Sequence, residues 1–226
     1  MDAMPQMPLG QSNLFLNPDR RCPCVLVLDN SYSMHGTKID QLNRGFQELQ
    51  ADVSKDLVAL KRIEIAVTTF GPVRVAQPFT TVDRLSMPPL VADNDTPMGG
   101  AVMTALKLLE DRKADYRQNG VPYFRPWMFL VTDGLPTDDI TAACRAVRQA
   151  EASKGLTFFG VGVDTADMAE LAKFSTRAPL HLKGLSFPQM FLWLSSSLKS
   201  VSRSAPGQQV PLANPTAGPG AWAVSA

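Results

Sequence analysis

An aspartate and two hydroxyls at alternating positions, Asp29, Ser31 and Ser33, follow the apolar run at residues 25–28. These side chains offer only hard oxygen donors, a set that suits Mg²⁺ or Mn²⁺ better than zinc or copper. Two later segments can complete a coordination shell. Thr96 lies in Asp95-Thr96-Pro97-Met98-Gly99-Gly100 ahead of an apolar-periodic run, and Asp133 follows the strand-like stretch 127–132. Two carboxylates about 5 Å apart repel by about 3 kcal/mol at an effective dielectric of about 20, and a divalent ion between them reverses that cost. Because Mg²⁺ gives up water reluctantly, the hydroxyls are expected as direct ligands. Asp29 and Asp133 then act through bound water, and one position stays open to a carboxylate from outside. Either aspartate alone could equally cap a loop or a helix start; the joint pattern is more specific.

For three loops to meet at one edge, the strands that feed them must end together. Residues 25–28 read as a strand, and Ile39, Leu42, Phe46, Leu49 and Val53 then recur at three- and four-residue steps, the signature of an amphipathic helix. Residues 63–70 and 73–79, separated by Gly71-Pro72, read as adjoining antiparallel strands joined by a tight turn. The spacing predicts a helix over about 97–117, with Thr96 as its N-cap and Pro97 in the first helical position. A strand at 127–132, a helix with Ile140, Ala143, Cys144 and Val147 on its stripe, a strand at 158–163 and a short helix within 164–174 follow. After a last strand at 180–182, Ser186-Phe-Pro-Gln189 matches a capping box, and Phe191, Leu194, Leu198 and Val201 form the seam of a closing helix. This alternation predicts an α/β fold with a mostly parallel central sheet, one antiparallel edge strand and helices on both faces. Ligands of such sheets bind beyond the carboxyl ends of the strands. Asp29 and Asp133 fall there.

A chain of 226 residues with 45% apolar content can bury one full core. The expected organisation is an N-terminal arm at 1–21, one domain at 22–203 and a Pro/Gly/Ala-rich tail at 204–226. The tail carries Val210, Leu212 and Trp222, which leaves both packing and disorder open. With 22 basic against 21 acidic side chains, no global field favours nucleic acid or an anionic membrane. Nothing approaches the roughly 18 apolar residues of a membrane span. Cys22, Cys24 and Cys144 are an odd and sparse set, so a reducing cytoplasm is the expected setting.

The pattern Asp29-x-Ser31-x-Ser33, then Thr96, then Thr132-Asp133-Gly134, resembles the metal-ion-dependent adhesion site of von Willebrand factor A domains. The resemblance spans about residues 22–202, and the stretches 124–139 and 191–198 are similar to the bacterial tellurite-resistance, TerY-like branch. It implies a Rossmann-like sheet and a divalent cation, Mg²⁺ with Mn²⁺ or Ca²⁺ as alternatives. It further implies metal ligands Asp29, Ser31, Ser33, Thr96 and Asp133, completed by an Asp or Glu carboxylate of a protein partner. Such domains usually recognise rather than catalyse, and members of this branch are associated with stress-response systems beside a protein kinase and a phosphatase. Asn30 and Tyr32 depart from the small residues frequent at those positions, which alters the rim rather than the ligands.

No Gly-x-Ser-x-Gly is present, and Gly99-Gly100 is followed by alanine and valine rather than a Walker lysine, so neither hydrolase nor nucleotide chemistry has its usual sequence context. His35 reads as a solvated loop residue, and Cys22-Pro-Cys24 as core. Asp93, Asp95, Asp138 and Asp139 flank the ligands either as solvated or capping carboxylates or as a field that attracts cations. Tyr32 is the aromatic expected at a contact surface. The leading expectation is a non-enzymatic, metal-dependent interaction module. A metal-assisted phosphohydrolase, or a scaffold that uses the cation only to hold its loops, are the alternatives.

Overall fold

Eight consecutive buried residues, Cys22–Asp29, form strand β1 in the computed structural model, which describes residues 17–205 and 208–225. Burial on both faces is what a parallel strand covered by helices requires, and it explains the unbroken apolar run. β2 (Ile63–Phe70) and β4 (Trp127–Thr132) pair in parallel with β1 on its two sides. β5 (Thr157–Gly162) and β6 (Leu180–Leu182) extend the parallel set, and β3 (Arg74–Thr81) runs antiparallel along the β2 edge. The expected α/β fold is therefore present. The tail adds β7 (Ala223–Ser225) antiparallel to β6, giving the order β3-β2-β1-β4-β5-β6-β7.

Alternate residues of β1 face two separate cores. Cys22, Cys24, Leu26 and Leu28 pack with the apolar stripes of α1 (Thr37–Val53) and of α6 (Phe187–Arg203). Val25 and Val27 pack with α3 (Met98–Gln118) and α4 (Thr141–Ala152). Two short helices complete the layers, α2 (Leu57–Arg62) and α5 (Met168–Ala172), each opened by an aspartate, Asp56 and Asp167, that accepts two backbone amides. The periodicity shows no α2, because six residues are too few to display a stripe.

Two helix starts differ from the sequence reading. α3 begins at Met98 with Pro97, not Thr96, in the capping position. At Ser186 the expected capping box does not form; its hydroxyl donates to the Lys183 carbonyl instead.

Described residues beyond 204 pack onto the domain. Trp222 is fully buried against Trp193, ring centroids 5.7 Å apart, and Trp193 Nε1 donates to the Ala213 carbonyl at 2.7 Å. At the other end, buried Arg21 donates to Glu64 at 3.0 Å, where Arg112 and Tyr116 also converge. Residues 1–16 of the expected arm lie outside the described residues. Among the described residues, no helix is long and apolar enough to cross a membrane.

Candidate metal centre

β1 has β2 on one side and β4 on the other, so the chain leaves it in opposite directions and a crevice opens at the carboxyl ends of β1 and β4. Asp29 is the last residue of β1 and Asp133 the first after β4; both are buried. Asp29 Oδ1 accepts the Ser31 backbone N–H at 2.8 Å, which turns the chain sharply, and Oδ2 accepts the Thr132 hydroxyl at 2.6 Å. One carboxylate thus ties the two strand ends together. A 3₁₀ turn at Tyr32–Met34 then brings Ser33 Oγ to 3.0 Å from Ser31 Oγ, and Ser33 donates to Asp133 Oδ1 at 2.5 Å.

The third loop arrives through Thr96. Two amides in the first turn of α3, at Gly99 and Gly100, donate to Asp138 at 2.9 and 2.8 Å, so the cap comes from the loop after β4. That leaves the Thr96 hydroxyl free of the capping duty that its position in the sequence suggests. It faces the space beside Gly134: a Cβ there would lie 3.6 Å from Thr96 Oγ1 and 3.7 Å from Ser33 Oγ. The structure therefore brings Asp29, Ser31, Ser33, Thr96 and Asp133 to one end of the β1–β4 crevice.

Several residues outside the motif hold this arrangement. Asn30 Nδ2 donates to the carbonyls of Gly71 and Val91 at 2.8 and 2.9 Å, joining the first loop to the β2–β3 turn and to the segment before Thr96. Gly71 sits so close that a Cβ would come within 2.7 Å of the Asn30 carbonyl and the Ser31 nitrogen. Lys38, in the first turn of α1, places its ammonium 2.6 Å from Asp133 Oδ2 and 3.1 Å from Asp164 Oδ2. A cation there opposes the helix dipole. That misplacement is the one signal in the sequence that could have marked Lys38, whereas nothing local marks Asn30 or Asp164.

Burial pushes the Asp29 carboxyl up and nearby Asp133 pushes it further, while bonds from Ser31 and Thr132 only partly offset this, so its pKa lies above its ordinary value. Burial alone would lower the Lys38 ammonium, but its bonds to Asp133 and Asp164 outweigh that and raise it. The centre is thus short of positive charge, with two buried carboxylates and one shared ammonium. Among the described residues there is no group of three or more His, Cys, Asp or Glu side chains placed to hold a metal. The donor set instead combines two carboxylates with three hydroxyls, and that chemistry fits a hard divalent cation.

The family model for the von Willebrand factor type A domain matches residues 24–186, a span that contains all five candidate ligands. None of the curated proteins matches the chain. Among solved structures, the pilus adhesin SpaC from Lactobacillus rhamnosus GG, in its open conformation, superposes with a TM-score of 0.60 at 12% identity, over 81% of this chain and 30% of that one. Proximal thread matrix protein 1 from the mussel byssus superposes with a TM-score of 0.55 at 13% identity, over 81% of this chain and 49% of that one. At these identities the likeness shows the fold. The chain spans about half the length of the mussel protein and about a third of the adhesin.

Proposed function

The chain belongs to the von Willebrand factor type A domain family, and from that premise we propose that it is a divalent-metal-dependent protein-interaction module. Domains of this family typically mediate protein–protein contacts. The observation that carries the reading is the convergence of Asp29, Ser31, Ser33, Thr96 and Asp133 from three loops on one strand-end crevice. Those five residues would hold Mg²⁺, with Mn²⁺ or Ca²⁺ as substitutes. When bound, the cation supplies an electrophilic corner that an outside carboxylate can fill.

The chain's own residues prepare that event. Asp29 fixes the Ser31 turn through the backbone amide, and Thr132 fixes the carboxylate of Asp29 in return. Asn30 braces the loop from behind, and Asp138 takes over the cap of α3 so that Thr96 keeps its hydroxyl available. The geometry favours binding over turnover. Asp133 is engaged by Ser33 and Lys38, and Asp29 by Ser31 and Thr132, which leaves neither as a ready general base.

The partner in this reading is a protein that presents an Asp or Glu. The resemblance to the TerY-like branch points to a bacterial stress-response setting of the tellurite-resistance type, in the cytoplasm, with a kinase or phosphatase as that partner. Affinity capture on the immobilised chain, with Mg²⁺ and with chelator, tests it. Retention should be lost with chelator and in Ser31→Ala and Thr96→Ala proteins that melt like the wild type. Capture that survives chelation and both substitutions overturns the proposal.

A further inference from the structure

Three of the four most exposed large apolar side chains among the described residues stand on the loops that carry the oxygen cluster: Tyr32 at 73%, Val91 at 72% and Leu135 at 60% exposed. Tyr32 lies between Ser31 and Ser33, Leu135 two residues after Asp133, and Val91 in the segment that leads to Thr96. Scattered apolar residues on a surface need no explanation, but one on each of three converging loops does.

The backbones of Tyr32 and Val91 are braced while all three side chains are displayed. The Tyr32 N–H donates to the Asn94 carbonyl at 3.0 Å, and the Val91 carbonyl accepts Asn30 Nδ2 at 2.9 Å. Holding such groups in place before a partner arrives lowers the ordering cost of binding. Exposed carboxylates stand on two of the same loops, namely Asp93, Asp95 and Asp139. They repel any further acid that approaches off-centre and favour basic residues there.

We infer that Tyr32, Val91 and Leu135 form the contact rim for a protein loop that presents a single acidic residue flanked by apolar side chains, with basic residues farther out. The inference rests on the metal-dependent reading above and adds the identity of the residues beside the acid. A protein segment fits better than a small carboxylate because the apolar groups stand on separate loops. The nearby cavity, of about 510 Å³, has a mixed wall in which His35, Lys38, Asp164 and His181 stand beside Leu182 and Leu185.

The test is selection of disulfide-constrained peptides displayed on phage against the immobilised full chain in Mg²⁺, with elution by EDTA. The expected pool carries one Asp or Glu with Leu, Ile, Phe or Tyr within two positions. A Tyr32→Ser/Val91→Ser/Leu135→Ser protein should bind the best selected peptide at least about thirtyfold more weakly while its Mg²⁺ titration and melting curve stay those of the wild type. Acidic peptides with glycine or charged flanks, or a triple variant that binds as tightly as the wild type, overturn the inference and leave metal-dependent recognition standing. A pool without acidic residues, or one that EDTA does not elute, overturns both.

Discussion

Replacing Lys38 by methionine removes the cation that faces Asp133 while keeping the aliphatic stem. That ammonium lies 2.6 Å from Asp133 Oδ2, and the Lys38 side chain is 20% exposed against 0% for Asp133. A divalent ion that draws on the same carboxylate must compete with it. A pair partly screened by solvent on one side and buried on the other is worth about 1–2 kcal/mol, more than a surface pair and less than a fully buried one. At about 1.4 kcal/mol per tenfold, Lys38→Met should bind Mg²⁺ roughly tenfold more tightly by titration calorimetry. The same substitution leaves Asp133 with one partner fewer, so the metal-free variant should melt lower, by about 2–4 °C per kcal/mol lost. Saturating Mg²⁺ should close that difference. Lys38→Arg keeps the charge and should stay near the wild type. Mg²⁺ affinity in Lys38→Met that equals or falls below that of the wild type would refute the competition argument.

Gly71→Ala forces a Cβ to within 2.7 Å of the Asn30 carbonyl and the Ser31 nitrogen. It should cost about 1–3 kcal/mol in a urea melt and weaken Mg²⁺ uptake with it; full stability with normal uptake would contradict the bracing role. Trp222→Ala empties a fully buried site against Trp193 and should destabilise by about 3–5 kcal/mol, a loss that a chemical denaturation curve measures and that a freely solvated tail would not show. Burial pushes the Asp52 carboxyl up, but Lys199 at 2.6 Å and Ser195 at 2.7 Å outweigh that and hold it below its ordinary value of 3.8. A carboxyl lowered on folding stabilises above its unfolded value and loses that contribution as pH falls through the folded one. The wild type should therefore exceed Asp52→Asn by about 1 kcal/mol at neutral pH, discounted for partial exposure, and the gap should shrink below the ordinary value; a gap that widens in acid would contradict the sign.

The parallel sheet was legible because burial on both faces writes itself as unbroken apolar runs, as in β1 and β4, and because the helices between them carry a stripe. Asp29 and Asp133 could be placed at one edge for the same reason, since one ends a strand and the other directly follows one. What local sequence could not show are contacts between loops distant in the chain. Asp138 caps α3 from about forty residues away, so the local rule assigned the cap to Thr96 and the start of α3 one residue early. Lys38 reaches across to Asp133 and Asp164, and Asn30 reaches Gly71 and Val91; each is an ordinary polar residue until the fold supplies its partners. β7 was hidden because three residues after a Pro/Gly-rich stretch show no period, and only Val210, Leu212 and Trp222 hinted that the tail had a core to enter.

Electron paramagnetic resonance titration with Mn²⁺ tests the central claim most directly, because free and bound ions give separable signals. The wild type should take up one ion at a saturable site that Mg²⁺ displaces, and Ser31→Ala and Thr96→Ala proteins with unchanged melting curves should lose it. A wild-type chain that leaves Mn²⁺ free at millimolar concentration, or variants that bind it as the wild type does, would contradict the account.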